Sequence, residues 1–321
     1  MTATHTQSSA HAHEPLGSLS VSRLCLGGNV FGWTADEAES FAVLDAYVAG
    51  GGNFIDTADV YSAWVPGNKG GESETVLGNW LAARGNRDDV VIATKVGAHP
   101  DHKGLSAATI KTAVDLSLSR LRTDYIDLYY THYDDESVEV GEFLTALDDL
   151  VRAGKVREIG ASNISASRLQ EALDFSDREG VARYVALQPH YNLVSRDTYE
   201  GELADVAARN GLGAVPYYAL ASGFLSGKYR PGSTVDSARA GKAAEYLATE
   251  RGPRVLEALD TVAKAHHAEP ATVALAWLAA QPTVTAPIAS ARTLAQLPAL
   301  LAVGELTLTD TELALLTEAS A

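Results

Sequence analysis

The chain has 321 residues and a formal charge of −16, because 41 acidic residues outnumber 25 lysines and arginines. This charge argues against nucleic acid or an anionic membrane as a partner, since both are bound mainly through clustered positive charge. The only cysteine, Cys25, excludes an internal disulfide framework and a multi-thiolate metal site. We predict no metal ligands.

The first 14 residues are rich in Thr, His, Ser and Ala and contain no apolar run. They predict a disordered polar tail and do not resemble a signal peptide. No stretch of 18 apolar residues follows, so no membrane span is predicted. We therefore expect a cytoplasmic protein in which residues 15–321 form one domain.

Short apolar runs then alternate with segments of helical spacing. The predicted strands are residues 23–26, 53–55, 90–93, 125–131, 156–161, 184–187, 213–216 and 283–288. The predicted helices are residues 35–49, 72–83, 107–121, 139–153, 166–177, 198–209, 254–265 and 293–303, followed by an extra C-terminal helix at 309–319. Eight such units, with strands apolar on both faces, predict an α/β fold of the (β/α)₈ TIM barrel type. A doubly wound open sheet is the alternative.

Two long loops follow predicted strand ends, residues 61–71 after the second strand and 219–253 after the seventh. Both belong to the C-terminal face of a barrel, where barrel enzymes build their sites. Polar or ionisable residues also stand at or just after successive strand ends: Asp56, Lys95, His132, Ser162, Asn163, Gln188 and Tyr217. On a barrel these side chains converge on one face, so together they predict a functional site.

The residue types in this group suit proton transfer to a carbonyl oxygen. Tyr61 follows Asp56 by a short loop, and a nearby Lys95 ammonium is expected to lower the pKa of the phenol. Asp56 would keep Lys95 charged, and His132 would bind a substrate oxygen and help relay the proton. A separate hydride donor is then required. The sequence contains no GxGxxG, HExxH or Gly-x-Ser-x-Gly motif, so it gives little support to a Rossmann site, a zinc protease or a serine hydrolase.

Four segments carry a resemblance to a known family: GNFIDTADVY (52–61), ATKVG (93–97), YYTHYDD (129–135) and IGASN (159–163). They resemble the aldo-keto reductase family, and the motifs keep the family's order from about residue 16 to the C-terminus. The resemblance implies a (β/α)₈ barrel that interconverts carbonyls and alcohols with NADP(H).

By position, the resemblance implies a catalytic tetrad of Asp56, Tyr61, Lys95 and His132, with Tyr61 as the general acid. The implied cofactor contacts lie in five parts of the chain: Gly28, Asn29; Ser162, Asn163; Gln188; Tyr217, Leu220, Ser222, Gly223, Leu225, Gly227, Lys228; and Ala289, Ser290, Arg292, Gln296.

Each group of contacts has an implied role. Ser162, Asn163 and Gln188 would hold the nicotinamide carboxamide, and Tyr217 would stack on its ring. Backbone N–H groups at Gly223 and Gly227 would approach the pyrophosphate. Arg292, beside a helix N-terminus, would hold a 2′-phosphate.

Three departures from the family pattern bear on the cofactor. The chain reads Tyr-Tyr-Ala-Leu at 217–220 where the family often has Tyr-Ser-Pro-Leu, and Ala289-Ser290 replaces the usual Pro-Gly. Leu300 stands where an Asn is usual four residues after Gln296. The first change is expected to alter the loop but keep Tyr217 as the stacking ring. The missing Asn weakens adenine recognition, so NAD(H) stays open beside NADP(H).

Phe31, Trp33, Trp64 and Tyr133 lie in predicted strand–helix loops and are expected to line a pocket for a small-molecule carbonyl, with core packing as the alternative. Two other functions stay open. Lys95 could be the Schiff-base nucleophile of a lyase, or the chain could be a cofactor-sensing regulatory subunit of a channel. The sequence predicts neither a particular substrate nor an oligomeric state.

Overall fold

The computed structural model describes residues 13–230, 232, 235 and 240–321. The strands are, in chain order, β1 (His13–Leu16), β2 (Leu19–Ser22), β3 (Cys25–Gly27), β4 (Phe54–Asp56), β5 (Val91–Val96), β6 (Ala98–His99), β7 (His102–Lys103), β8 (Ile126–Thr131), β9 (Val156–Ser162), β10 (Tyr184–Gln188), β11 (Gly213–Ala214) and β12 (Ile288–Ala289). Residues 1–12 of the predicted tail lie outside the described residues. His13 and Glu14, also placed in that tail, instead begin β1, because they pair with Ser22 and Val21 of β2.

Eight of these strands form one parallel sheet in the order β12-β3-β4-β5-β8-β9-β10-β11. Its two ends also meet, because the chain leading into β12 pairs with β11. Ala214 N donates to Thr283 O at 2.7 Å and Thr285 N donates to Ala214 O at 2.8 Å. The (β/α)₈ barrel predicted from the alternating pattern is therefore confirmed.

The helices of the described residues are α1 (Glu37–Ala49), α2 (Glu72–Arg84), α3 (Ala107–Leu121), α4 (Val140–Arg152), α5 (Ala166–Glu179), α6 (Glu202–Arg209), α7 (Ala240–Leu247), α8 (Arg251–His266), α9 (Pro270–Ala279), α10 (Leu297–Leu301) and α11 (Asp310–Ala319). Side-chain caps fix several of their starts. Asp36 accepts from Glu39 N ahead of α1, and Thr309 forms a capping box with Glu312 ahead of α11. The predicted C-terminal helix is thus present. Within the described part of the chain, no helix combines the length and apolar character needed to span a bilayer.

The sequence pattern missed helix α7, helix α9, the hairpin of β1 and β2 and the hairpin of β6 and β7. Helix α9 carries the run PATVALAWLA and is buried on nearly all sides, so it lacks the one-sided periodicity that marks a surface helix. The hairpin of β1 and β2 consists of two four-residue strands around Gly17, which has φ 60°. Leu16 and Val21 of this hairpin pack inside the barrel against Cys25 and Phe54. The hairpin therefore closes the barrel end opposite the strand C-termini.

The last predicted strand and helix are also shorter than expected. Of residues 283–288 only Ile288 lies in β12, although Val284 bridges to Ala214. Of residues 293–303, a 3₁₀ turn takes Leu294–Gln296 and α10 takes only Leu297–Leu301. Pro298 stands in the first turn of α10, where its missing N–H costs no hydrogen bond within the helix, which is consistent with the helix beginning late.

Candidate active site

A buried ion pair joins the C-terminal ends of two neighbouring strands. Asp56 is the last residue of β4, and Lys95 lies in the adjoining β5. Lys95 Nζ donates to Asp56 Oδ2 at 2.7 Å, to Thr57 O at 2.6 Å and to Tyr61 OH at 2.9 Å. The Lys95 side chain is fully buried. Its three N–H bonds are thus all donated, and the ammonium is held in one orientation.

Tyr61 reaches the ion pair because the loop after β4 turns tightly. Tyr61 N donates to Ala58 O, and the phenol OH donates a long hydrogen bond of 3.3 Å to Asp56 Oδ2. Burial raises the pKa of Tyr61 well above its usual value, and the negative charge of Asp56 adds to the rise. The net shift is therefore upward and not the lowering expected from Lys95, because burial and the charge of Asp56 outweigh the ammonium. The phenol keeps its proton at neutral pH.

His132 follows the end of β8 and is buried beside Tyr61. The two ring centroids lie 6.1 Å apart, and His132 also stacks on Tyr133 at 4.9 Å. His132 Nδ1 is buried and has no hydrogen-bond partner among the described residues. Burial, and secondarily the charge of Lys95, holds the pKa of His132 well below its usual value. The imidazole is therefore neutral at neutral pH and can donate or accept one hydrogen bond at each nitrogen.

The residues expected to hold a nicotinamide form a connected hydrogen-bond network beside these groups. Tyr217 OH donates to Asn163 Oδ1 at 2.8 Å, and Asn163 Nδ2 donates to His132 O at 2.8 Å. Ser162 Oγ donates to the Gln188 carbonyl, while Gln188 Nε2 donates to Asp56 Oδ1 at 2.8 Å. Gln188 therefore also fixes the Asp56 carboxylate, a role that the strand-end pattern did not reveal.

These groups line a cavity of about 520 Å³ at the C-terminal face of the barrel. A second cavity of about 460 Å³ adjoins it, and the two share Leu220, Ser222, Gly223 and Ser290. Lys228 and Arg292 line the far end of this groove, together with the carboxylate of Glu269. A long groove with neutral polar groups at one end and two cations at the other fits an extended anionic dinucleotide. Leu300, the departure from the family pattern, contributes to its apolar wall.

Most of the predicted cofactor contacts line the groove, but three do not. Those on the groove are Asn29, Ser162, Asn163, Gln188, Tyr217, Leu220, Ser222, Gly223, Lys228, Ala289, Ser290, Arg292 and Gln296. Gly28 instead donates its N–H to Asp56 O at 2.7 Å, and a Cβ there would lie 2.9 Å from the same oxygen. Leu225 is fully buried in the core, and a Cβ on Gly227 would meet Pro270. Gly28 and Gly227 are thus glycines because the backbone passes close to its neighbours.

The backbone of the loop at 218–227 also departs from the expectation. Gly223 N donates to Leu220 O at 2.8 Å and Gly227 N donates to Phe224 O at 3.3 Å, so both N–H groups are already paired within the loop. Tyr218, Ala221 and Ser222 have φ of 54°, 47° and 58°, a left-handed conformation that costs about 1 kcal/mol or more at each non-glycine residue. The loop is therefore held in an uncommon shape by its own hydrogen bonds.

The helix that follows Arg292 has an N-terminus less suited to binding an anion than the sequence predicted. A 3₁₀ turn precedes the five-residue α10, and Arg292 N donates to Gln296 Oε1 at 2.8 Å. Any anion bound here would therefore depend on the Arg292 side chain more than on a helix dipole.

Of the four predicted substrate residues, only Trp64 and Tyr133 line the first cavity. Trp33 lines the second cavity and packs edge-on against Trp64 at 5.5 Å. Phe31 is fully buried, and its carbonyl accepts from Ser62 Oγ, so it belongs to the core. Tyr218 lines the first cavity but was missed, although its place directly after Tyr217 was the available signal.

Comparison with known proteins gives a consistent picture. The family model described as "Aldo/keto reductase family" matches residues 23–321. The chain is 34% identical over 311 residues to "Protein tas" of Escherichia coli strain K12, covering 88% of this chain and 89% of that protein. It is 37% identical over 288 residues to "Uncharacterized oxidoreductase YrpG" of Bacillus subtilis strain 168, covering 87% and 86%. It is 33% identical over 315 residues to "Norsolorinic acid reductase B" of Aspergillus parasiticus, covering 93% and 80%.

Proposed function

We propose that this chain, which belongs to the aldo/keto reductase family, reduces an aldehyde, ketone or keto-sugar to the alcohol with NADP(H) as cofactor. The family match and the oxidoreductase and reductase names of two relatives support the reaction class. The single observation that carries the proposal is the hydrogen-bonded arrangement of Asp56, Lys95 and Tyr61. The Tyr61 phenol lines a cavity of about 520 Å³, which is large enough for a small carbonyl compound.

When bound, the nicotinamide supplies the hydride that reduces the carbonyl carbon. Tyr61 donates its phenolic proton to the carbonyl oxygen, so the O–H bond on Tyr61 breaks as a new O–H bond forms on the substrate. The charge left on the phenolate is balanced by Lys95 Nζ, which lies 2.9 Å from that oxygen. Asp56 and Thr57 fix this ammonium, and the neutral His132 at the cavity wall orients the carbonyl oxygen through a hydrogen bond.

The cofactor would be held at both ends of the groove. Ser162, Asn163 and Tyr217 present neutral polar atoms and a ring to the nicotinamide end. The side-chain amide oxygen of Gln188 would accept a hydrogen bond at the nicotinamide end, because the amide nitrogen already donates to Asp56. Lys228 and Arg292 would bind the phosphates of the adenosine half, and they support NADP(H) over NAD(H).

The test is NADPH oxidation at 340 nm with a panel of carbonyl substrates, using wild type and Tyr61→Phe. The variant removes the acidic proton while keeping the ring, so kcat is expected to fall by about 100-fold or more. The Kd for NADPH, measured by fluorescence titration, should stay within about twofold, since Tyr61 has no proposed contact with the phosphates. Near-normal turnover by Tyr61→Phe would contradict the assignment.

The lyase alternative is disfavoured by the same geometry. A Schiff-base lysine must present an unprotonated amine to substrate. Lys95 is fully buried and donates to three oxygen atoms. Borohydride treatment in the presence of a carbonyl should therefore trap no adduct at Lys95.

A further inference from the structure

The mouth of the first cavity is lined by aromatic rings that reach solvent. Trp64, Tyr133 and Tyr218 have exposed fractions of 48%, 54% and 47%, and all three line this cavity. They are half of the six large apolar side chains that are exposed in the described part of the chain. Exposed aromatic rings gathered at one place indicate a binding surface, whereas scattered ones do not.

Each of these rings rests on a second ring, so its position is fixed before any ligand binds. Trp64 packs edge-on against Trp33 at 5.5 Å and against Tyr61 at 6.1 Å. Tyr133 stacks on His132 at 4.9 Å with only 16° between the planes. Tyr218 contacts Tyr217 at 5.2 Å and His190 at 5.5 Å. Because little side-chain freedom is left to lose, these faces can bind a flat ligand at low entropic cost.

The charge of the cavity restricts the ligand further. Among the described residues that line it, none is Lys or Arg, and Asp56 is the only carboxylate. Asp56 is itself buried and paired with Lys95. A phosphate or carboxylate on the substrate would therefore enter the cavity without a cationic partner, which is unfavourable. The cavity thus favours uncharged carbonyl compounds.

A third cavity extends the first one past Tyr133. It has about 470 Å³ and shares Ala98 and Tyr133 with the first cavity. The hairpin of β6 and β7 contributes Lys103 to it, but this lysine is exposed and gives an anion little net attraction in water. The carboxylates of this cavity are engaged elsewhere: Asp134 pairs with Arg168 at 3.3 Å, and Asp135 accepts from Leu105 N at 3.0 Å. A molecule with its carbonyl at Tyr61 therefore has room to continue across the face of Tyr133.

We propose that the substrates are uncharged, planar aldehydes or ketones with two or more fused aromatic rings. The carbonyl lies at Tyr61 OH, and the rings pack between Trp64 and Tyr133 toward the third cavity. This substrate class rests on the carbonyl reduction proposed above, and it adds a binding preference that can fail independently of that reaction.

The test compares kcat/KM for 2-naphthaldehyde, butanal and glyceraldehyde 3-phosphate at fixed NADPH. Because two aromatic contacts are made only by the fused rings, 2-naphthaldehyde should exceed butanal by roughly tenfold or more. Glyceraldehyde 3-phosphate should be the poorest of the three. In Trp64→Ala and in Tyr133→Ala, the ratio of naphthaldehyde to butanal should fall by roughly three- to tenfold. Leu315→Ala, which removes an exposed apolar side chain of α11, is the matched control and should leave the ratio unchanged.

A second readout does not depend on turnover. Binding of 2-naphthalenemethanol, followed by the anisotropy of its own fluorescence, should weaken in Trp64→Ala and Tyr133→Ala but not in Leu315→Ala. Equal kcat/KM for butanal and 2-naphthaldehyde, or a preference for the phosphate, would overturn the proposed substrate class while leaving carbonyl reduction intact. If none of the three compounds is reduced, the proposed function is overturned. The binding measurement would still decide whether the aromatic site exists.

Discussion

Each end of β8 adjoins a cluster of ionisable groups built on a buried carboxylate, and the two clusters differ in what their hydrogen bonds reach. Near its start, Asp127 accepts from Arg87 Nη2 at 2.7 Å, Ile92 N at 2.9 Å and Arg157 Nη1 at 2.9 Å. Both guanidinium groups also lie over the Tyr125 ring, at 3.9 and 4.1 Å. Past its other end, His132 adjoins the cluster of Asp56, Lys95 and Tyr61. We call these the Asp127 cluster and the Asp56 cluster.

The two clusters use the same kind of ion pair for different purposes. In the Asp127 cluster the carboxylate accepts hydrogen bonds from two arginines and one backbone amide. These three bonds join the 3₁₀ turn of Arg87 and the strands β5, β8 and β9. In the Asp56 cluster the bonds end at a phenol that lines a cavity, next to a histidine nitrogen that has no hydrogen-bond partner within the part of the chain that the structure describes. A closed set of hydrogen bonds stabilises a fold, whereas a set that ends at a cavity leaves a donor for a ligand. The Asp127 cluster should therefore govern stability, and the Asp56 cluster should govern chemistry.

The largest expected effect is that of Lys95→Met on turnover. The change removes the cation that balances the Tyr61 phenolate and leaves Asp56 without its charge partner, so carbonyl reduction should fall by about 10³-fold or more. NADPH oxidation under single-turnover conditions measures this. Lys111→Met is a matched control, because Lys111 forms an exposed ion pair with Asp149 at 3.2 Å. Activity of Lys95→Met close to that of this control would contradict the division between the clusters.

The next largest effect is the loss of stability in Asp127→Asn. One buried carboxylate serves two arginines, so the free energy of unfolding should drop by about 2–4 kcal/mol. Guanidinium unfolding measures this drop, and Asp149→Asn, in the exposed pair, should cost less than about 1 kcal/mol. The kcat of folded Asp127→Asn should stay within about twofold of wild type, since its cluster is one strand length, roughly 17 Å, from His132. A large fall in kcat without a fall in stability would reverse the assignment.

A smaller and pH-dependent effect is expected at Asp59, a third buried carboxylate. Burial, and secondarily the charge of Glu74, raises the pKa of Asp59 from 3.8 to about 8. The folded state therefore keeps a proton that the unfolded state loses between these values. The contribution of Asp59 to the free energy of unfolding is fully present below the pKa that Asp59 has in the unfolded state. It is lost as the pH rises through the pKa that Asp59 has in the folded state.

Asp59→Asn removes this titration. Relative to the variant, wild type should lose on the order of 1–4 kcal/mol of unfolding free energy when pH is raised from about 5 to about 8. Chemical unfolding of both proteins at the two pH values measures the difference. Parallel stability changes in the two proteins would show that Asp59 does not titrate as described.

Strand-end residues could be predicted from the sequence because a barrel brings all strand C-termini to one face. Asp56, Lys95 and His132 are separated by 39 and 37 positions, yet their place after apolar runs was enough to bring them together. The Asp127 cluster carried no such signal. Arg87 lies in a 3₁₀ turn, and its pairing with Asp127 depends on how that turn packs under the barrel.

The sequence predicted where residues lie better than it predicted their pKa values, their hydrogen-bond partners and their burial. The direction of the Tyr61 pKa shift depends on burial, which the sequence does not display, so an argument from Lys95 alone gave the wrong sign. The family resemblance implied that Gly223 and Gly227 present their N–H groups to the pyrophosphate, but both N–H groups are paired within the loop. Phe31 stands in a loop of the kind that lines pockets, yet the packing around it is that of the core.

The pH dependence of kcat/KM for carbonyl reduction tests the central claim most directly, because it reports whether Tyr61 is a proton donor held in its neutral form. A group that must be protonated loses activity as pH rises through its pKa, and the pKa of Tyr61 is raised above its usual value. Wild type should therefore show no loss of reduction rate from about pH 7 up to about pH 10, the ordinary pKa of tyrosine. A fall with an apparent pKa near 7 to 8, of the kind expected for a phenol acidified by Lys95, would contradict the account.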